Sequence, residues 1–396
     1  MTSFSDVVGN RNNHFNLIRA SAALAVMFVH YFWLTKSEVA LDRVLIPHHG
    51  LTSGSIAVDV LFSVSGFLIT TSLFNRHGVI DFLAARCLRV FPGLWTMLIL
   101  VVFGLGAVLT TLPLSDYLTA PLTWFYLWRW GTIVNGYAFF LPGLFEHNPL
   151  DAQVNGSLWT ITIEWRLYML FAAGWFVLSP LPTWRRRAFR VVIPIVALAL
   201  YVQNAILHTG DLGAQHCFCF FAGSTIFLHG DRIPVGLLPL ALTFVILALV
   251  LALGGPFLAV YLALGSYLVL NLAYAPGGWL LAFNRLGDYS YGLYIYAYPI
   301  TQAIIALKPS IGPVALGLIA TPLTLVLAVL SWRFVEKPAL AKKGAAARWA
   351  ERMIDAARAR LPIPAFAGGS SPAPARSWQR PDAPAPHEAE QPGQAS

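Results

Sequence analysis

Residues Phe15–Leu34 read FNLIRASAALAVMFVHYFWL, an apolar run broken only by Arg19 and His30. Its length suits a helix crossing a hydrocarbon core about 30 Å thick. Arg19 and His30 are eleven positions apart. At about 100° per residue both fall on one stripe of the helix, separated by roughly 16 Å along its axis. An ionisable group at the centre of a span costs about 2.5–3.5 kcal/mol, so such groups face a bundle interior or a polar cavity. Two on one face predict a lined path through much of the membrane.

The rest of the chain fits that environment. Of 396 residues, 57% are hydrophobic and 11% charged, against about a quarter charged in a soluble domain. Open sheets do not survive in lipid. The expectation is therefore an all-α integral membrane protein, a bundle of about ten transmembrane helices. The net charge of +8 gathers in short basic clusters near helix ends, which suits anionic lipid headgroups and not nucleic acid. Cys87, Cys217 and Cys219 have no metal or redox spacing and read as packing residues. No metal site is expected. Arg19 interrupts the first apolar run, which argues against a cleavable signal peptide.

Further spans are expected near residues 55–74, 90–112, 157–178, 188–207, 214–228, 234–253, 255–274, 289–307 and 312–334. The segment 113–155 contains LTWFYLWRW, too short to span and better read as interfacial or re-entrant. In a ten-span arrangement Arg76, Arg86, Arg89, Arg185–Arg187, Arg190, Arg232, Arg285 and Lys337/Lys342/Lys343 fall on one side. The positive-inside rule then makes both termini cytoplasmic. Residues 1–340 form the membrane domain, 341–361 a basic cytoplasmic helix, and 362–396 a Pro/Ala-rich tail expected to be disordered.

With that topology His30, Asp59 and Glu164 share one level in the outer half of the membrane. Arg19, Arg86, Arg89 and Arg333 lie at the inner edge. The bland readings are a histidine bonded to a neighbouring helix, carboxylates reaching back to water, and arginines that only set orientation. The shared Arg19–His30 stripe and the shared level of the carboxylates favour function.

Six segments carry a family resemblance. LIRASAALAVMFVHYFW resembles the first helix of the acyltransferase 3 family of membrane O-acyltransferases. AVDVLFSVSGFLIT, with Asp59, Ser65 and Gly66, is similar to its second-helix motif, and RCLRVFPGLW, with Arg86 and Arg89, to its third. SLWTITIEWRLYML, with Ser157 and Glu164, LGDYSYGLYIYAYPI, and SWRFVEKP, with Arg333 and Glu336, follow in family order. The resemblance implies transfer of an acyl group, usually acetyl, from cytoplasmic acyl-CoA to a hydroxyl of an extracytoplasmic glycan or glycolipid. It also implies a multi-pass protein of the bacterial cytoplasmic (inner) membrane, in its stand-alone branch without a periplasmic hydrolase-like domain, and a catalytic His30. Two positions depart from the family pattern. Ala297 stands where a histidine is often found, two residues before Pro299, and Arg166 stands where a glutamine is common.

On this reading Arg19, Arg86, Arg89 and Arg333, with Ser65, bind the acyl-CoA donor. His30 is the general base on the acceptor hydroxyl, and Glu164 or Asp59 orients its ring. The competing class is a transporter or flippase for an anionic glycoconjugate. Its hallmark, broken helices paired in two related halves, is not found in the sequence.

Overall fold

The computed structural model describes residues 2–76, 78–133, 138–150 and 152–360. Among them the chain is helical and contains no strand, an isolated bridge between Ser3 and Pro234 apart. The principal helices are α1 (Phe15–Leu34), α2 (Ser53–Asn75), α3 (Val79–Ile99), α4 (Pro121–Thr132), α5 (Leu158–Val177) and α6 (Pro182–Tyr201). They are followed by α7 (Leu212–Leu228), α8 (Leu237–Ala252), α9 (Phe257–Ala273), α10 (Ser290–Leu307), α11 (Pro313–Ser331) and α12 (Lys343–Arg360). Every expected span falls on a helix.

Five helical stretches among the described residues are long and apolar enough to cross a membrane: Phe15–Leu34, Ser53–Asn75, Val79–Leu109, Thr183–Ile206 and Pro313–Ala341. The bent pair Phe257–Ala273 and Gly278–Arg285 brings the number to six. α7 and α8 are apolar but shorter. On α8 only Thr243 and Leu247 are buried, while Leu238 and Phe244 are exposed. An apolar helix bare on most sides belongs in lipid, and the chain is a multi-pass membrane protein.

α3 starts well before the expected residue 90. Gly78 is its extended N-cap, and Asp81 in the first turn pairs with Arg76 at 2.8 Å. Arg86 and Arg89 therefore sit inside a helix, not in a basic loop, and Pro92 lies in its body. Beyond Ile99 the helix continues through a π-helical stretch, Leu100–Gly106. LTWFYLWRW forms most of α4, burying Tyr126 and Trp130 and exposing Trp124 and Trp128. The N-terminal lead-in is anchored, because Phe4 is buried edge-on against Phe67 at 6.0 Å. α12 packs against α3. The tail expected to be disordered, residues 362–396, lies outside the described residues.

The tightest crossing joins α2 and α7. A Cβ at Gly66 would stand 1.9 Å from the Phe220 carbonyl oxygen, and one at Gly223 would stand 2.1 Å from that of Ser63. Only glycine lets these two backbones touch. Ser224 Oγ donates across the contact to the Gly66 carbonyl at 3.1 Å. α1 packs beside α2, α10 and α11, which places its Arg19–His30 stripe against the bundle interior.

Candidate active site

Arg19 and His30 open onto two different cavities. At the Arg19 end, a cavity of about 110 Å³ is bounded by Arg19, Arg86, Arg89, Ser65, Glu164 and Tyr168, among others. Asp288, in the turn before α10, organises it. Its Oδ2 accepts from Arg19 at 2.6 Å and from Arg89 at 2.7 Å, and its Oδ1 accepts from Ser290 Oγ at 2.6 Å. Burial opposes ionisation there, yet the two guanidinium groups and the serine hold the Asp288 carboxyl well below the usual carboxylate range. Arg89 also reaches Glu336 at 3.3 Å and lies over the rings of Tyr291 and Trp332. Ser331 Oγ donates to the other oxygen of Glu336 at 2.9 Å.

Arg86 differs from both. It makes no ion pair with a described residue, and its buried Nε lacks a hydrogen-bond partner among them. Across the same cavity Glu164 accepts from Ser65 Oγ at 2.5 Å and from the Tyr168 hydroxyl. Arg333 lies elsewhere: it is exposed, with its guanidinium over Phe334 at 5.9 Å. It does not line the chamber, so the expected four-arginine cluster contains three. Arg166 is exposed as well.

At the His30 end, a cavity of about 750 Å³ is lined by His30 and Trp33 of α1, by Glu38, by Asp42 and Arg43 at the start of the short helix that follows it, and by Ser157 and Trp159. Its size is that of a small-molecule site. His30 lies edge-on to Tyr298, 5.1 Å between ring centres, and its buried Nδ1 has no hydrogen-bond partner among the described residues. Ala297, which precedes Tyr298 in sequence, is buried.

Neither carboxylate expected to orient His30 bonds to it. Glu164 is engaged with Ser65 and Tyr168. Asp59 is 1% exposed and bonds His216 Nδ1 at 2.7 Å, Gln215 at 2.6 Å and the Tyr261 hydroxyl at 3.1 Å. Asp59 turns to α7 because α2 crosses that helix so closely. His216 also lines the His30 cavity, and the sequence reading missed it. The rule that picked out His30, an ionisable group inside an apolar run, applies equally to His216 within QHCFCFF. Asp288 was likewise present in LGDYSYG without being assigned a role.

The two cavities share three wall residues, Val58, Thr160 and Tyr294. The Thr160 and Tyr294 hydroxyls are hydrogen-bonded at 2.6 Å. The path expected along the Arg19–His30 stripe is thus two chambers meeting at a partition, not one open shaft. Side chains from α2, α5 and α10 fill the middle.

Fold and site together define a helical membrane protein with a cationic chamber backed onto an imidazole-bearing one. The sequence comparisons say which. The chain matches the acyltransferase 3 family, described as an acyltransferase domain, over residues 12–333, and it belongs to that family. It is 26% identical over 340 residues to the O-acetyl transferase of Shigella phage Sf6, covering 83% of this chain and 96% of the relative. It is 28% identical over 364 residues to nodulation protein 10 of Rhizobium leguminosarum bv. viciae, covering 84% and 94%. The peptidoglycan O-acetyltransferase OatA of Listeria monocytogenes is 25% identical over 334 residues, 72% of this chain and 51% of that protein. No solved structure gives a significant match. Family membership and the O-acetyltransferase relatives support acyl transfer to a hydroxyl.

Proposed function

We propose that this protein moves an acyl group, acetyl first among the candidates, from acyl-CoA to a hydroxyl of an extracytoplasmic glycan or glycolipid, with His30 as general base. The observation that carries the reading is the pair of back-to-back chambers, one holding three arginines and the other His30, meeting at Val58, Thr160 and Tyr294. An acyl-CoA donor combines a polyanionic nucleotide with a slender thioester arm. The arginine chamber suits the phosphate end, and the arm would carry the thioester to the partition. His30 takes the proton of the acceptor hydroxyl as its oxygen attacks the thioester carbon. A C–O bond forms, the C–S bond breaks, and the proton ends on the thiol of free CoA. Arg19, Arg86, Arg89 and Ser65 serve the donor.

In the same proposal about ten helices span the bacterial cytoplasmic membrane with both termini inside. Residues 1–340 are the membrane domain and α12 a basic helix on its inner face. The donor then meets the arginines from the cytoplasm and the acceptor meets His30 from outside.

The test is alkali-labile acetate on envelope glycans, measured by mass spectrometry in cells producing wild type or His30→Ala at equal membrane abundance. Loss of the ester in the variant is expected. Acetylation at the wild-type level would remove His30 from the mechanism. A wild type that consumes no acetyl-CoA while moving a glycoconjugate across the membrane would return the flippase reading.

A further inference from the structure

The His30 cavity contains a second imidazole. We propose that His216, oriented by Asp59, is an acceptor-binding residue: its Nε2 accepts a hydrogen bond from an acceptor hydroxyl other than the one acylated. The inference rests on the acyl-transfer reading and adds a substrate requirement, at least two hydroxyls on the acceptor.

Three contacts fix the ring. His216 stacks on Phe62, with ring centres 5.3 Å apart and an angle of 27°, and touches Trp159 at 5.6 Å. Its Nδ1 lies 2.7 Å from Asp59 Oδ1. An ionised carboxylate only accepts, so Nδ1 carries the hydrogen, and in the neutral tautomer that leaves the lone pair at Nε2. Asp59 is itself held, since its second oxygen accepts from Gln215 and from Tyr261. Carboxylate and imidazole form one rigid unit.

What that unit offers is Nε2. It has no hydrogen-bond partner among the described residues, and His216 lines the cavity. A buried polar atom without a protein partner takes one from whatever occupies the space beside it. Here one nitrogen is satisfied and the other is left to whatever fills the chamber. A lone pair there takes a hydroxyl hydrogen. The same chamber holds His30, so an acceptor is gripped at one hydroxyl by His216 while another is presented to His30 and the thioester.

Two substitutions separate binding from packing, because asparagine and glutamine mimic different halves of an imidazole. His216→Asn keeps an amide near the Nδ1 position, which preserves the bond to Asp59, and deletes Nε2. His216→Gln extends an accepting oxygen to the Nε2 position and gives up the Asp59 bond. Membrane vesicles from cells containing the native acceptor and the full-length protein are supplied with radiolabelled acetyl-CoA. Acetyl incorporation is read per amount of folded protein. Leaving a substrate hydroxyl unpaired predicts a rate about tenfold lower in His216→Asn, at a melting temperature matching wild type. In His216→Gln the rate is expected within about threefold of wild type. Asp59 acts through His216, so adding Asp59→Asn to His216→Asn costs no further rate per folded protein. Multiplying losses in that double variant would overturn the positioning role.

Incorporation at the wild-type rate in His216→Asn overturns the proposal, since packing alone would survive that change. His216→Gln as slow as His216→Asn also overturns it, because a hydrogen-bond acceptor at that position would then be insufficient. Wild-type vesicles that incorporate no acetyl overturn the acyl-transfer reading and this assignment with it. Active wild type beside active His216→Asn overturns this assignment alone.

Discussion

Gly66→Ala tests whether the α2–α7 contact is what positions both chambers. The added methyl would stand 1.9 Å from the Phe220 carbonyl oxygen, where an ordinary close carbon–oxygen contact is about 3.3 Å. Phe220 contributes backbone there, which no rotamer change can move aside. The helices must part by about 1.4 Å along that line. The same interface carries Asp59–His216 at 2.7 Å and Asp59–Gln215 at 2.6 Å, and such a shift takes both past hydrogen-bond range of about 3.2 Å. Overpacking costs about 1–3 kcal/mol, and each buried polar group left unpaired adds about 1–3 kcal/mol. A loss of about 3–5 kcal/mol is the working estimate. Gly104→Ala is the control, since a Cβ there meets nothing within 4 Å. The assay is yield and melting temperature by fluorescence-detected size exclusion in detergent. Gly66→Ala is expected to melt several degrees lower and to accumulate poorly, while Gly104→Ala matches wild type. Equal yield and melting in the two variants would refute the close-contact argument.

Two further outcomes concern the arginine chamber. Arg86 has no ion-pair partner among the described residues, whereas Arg333 is exposed outside the chamber. Arg86→Gln should therefore raise the KM for acetyl-CoA about tenfold and Arg333→Gln should leave it unchanged; the reverse order would discard the chamber as the donor site. Asp288 has its carboxyl held below the ordinary value of 3.8, so its stabilising contribution is complete above about pH 4 and fades as pH falls further. The melting-temperature gap between wild type and Asp288→Asn should be wide at pH 7 and narrower at pH 3, and an unchanged gap would show that the ion cluster contributes nothing.

The helices were legible because apolar runs of spanning length have few alternatives in lipid. Phe15–Leu34 matches its expected bounds at both ends. α3 was misplaced because its first turns, VIDFLAARCLRV, are amphipathic, and their charges resemble a loop until the helix is seen to bury Phe82 and Ala85. The candidate residues were legible by type: an ionisable group in an apolar run signals a cavity. Pairing was not legible. The sequence reading put Asp59 at the depth of His30, but depth says nothing about rotation around a helix. The Gly66–Gly223 crossing, not depth, turns Asp59 toward His216. Asp288 was hidden for a different reason, since a single carboxylate at a helix boundary resembles an ordinary cap until two guanidinium groups are found on it.

That carboxylate changes what the clustered arginines can do. Arg19 and Arg89 are matched by Asp288 and Glu336, two cations against two anions at contact distance. Their first task is to tie α1, α3, the turn before α10 and the π-helical stretch Trp332–Glu336 after α11 together. A polyanionic donor would share them with carboxylates already in place, gaining less from each than from a bare guanidinium. Arg86 has no such competitor at contact distance, and it lines the chamber together with Glu164. Donor affinity should then fall most on losing Arg86, and architecture most on losing Arg89. Arg19 on its single span links that ion cluster to the helix that carries His30. A donor phosphate drawing Arg19 away from Asp288 would act on the helix bearing the base, which couples donor occupancy to the far chamber without an open channel between the two.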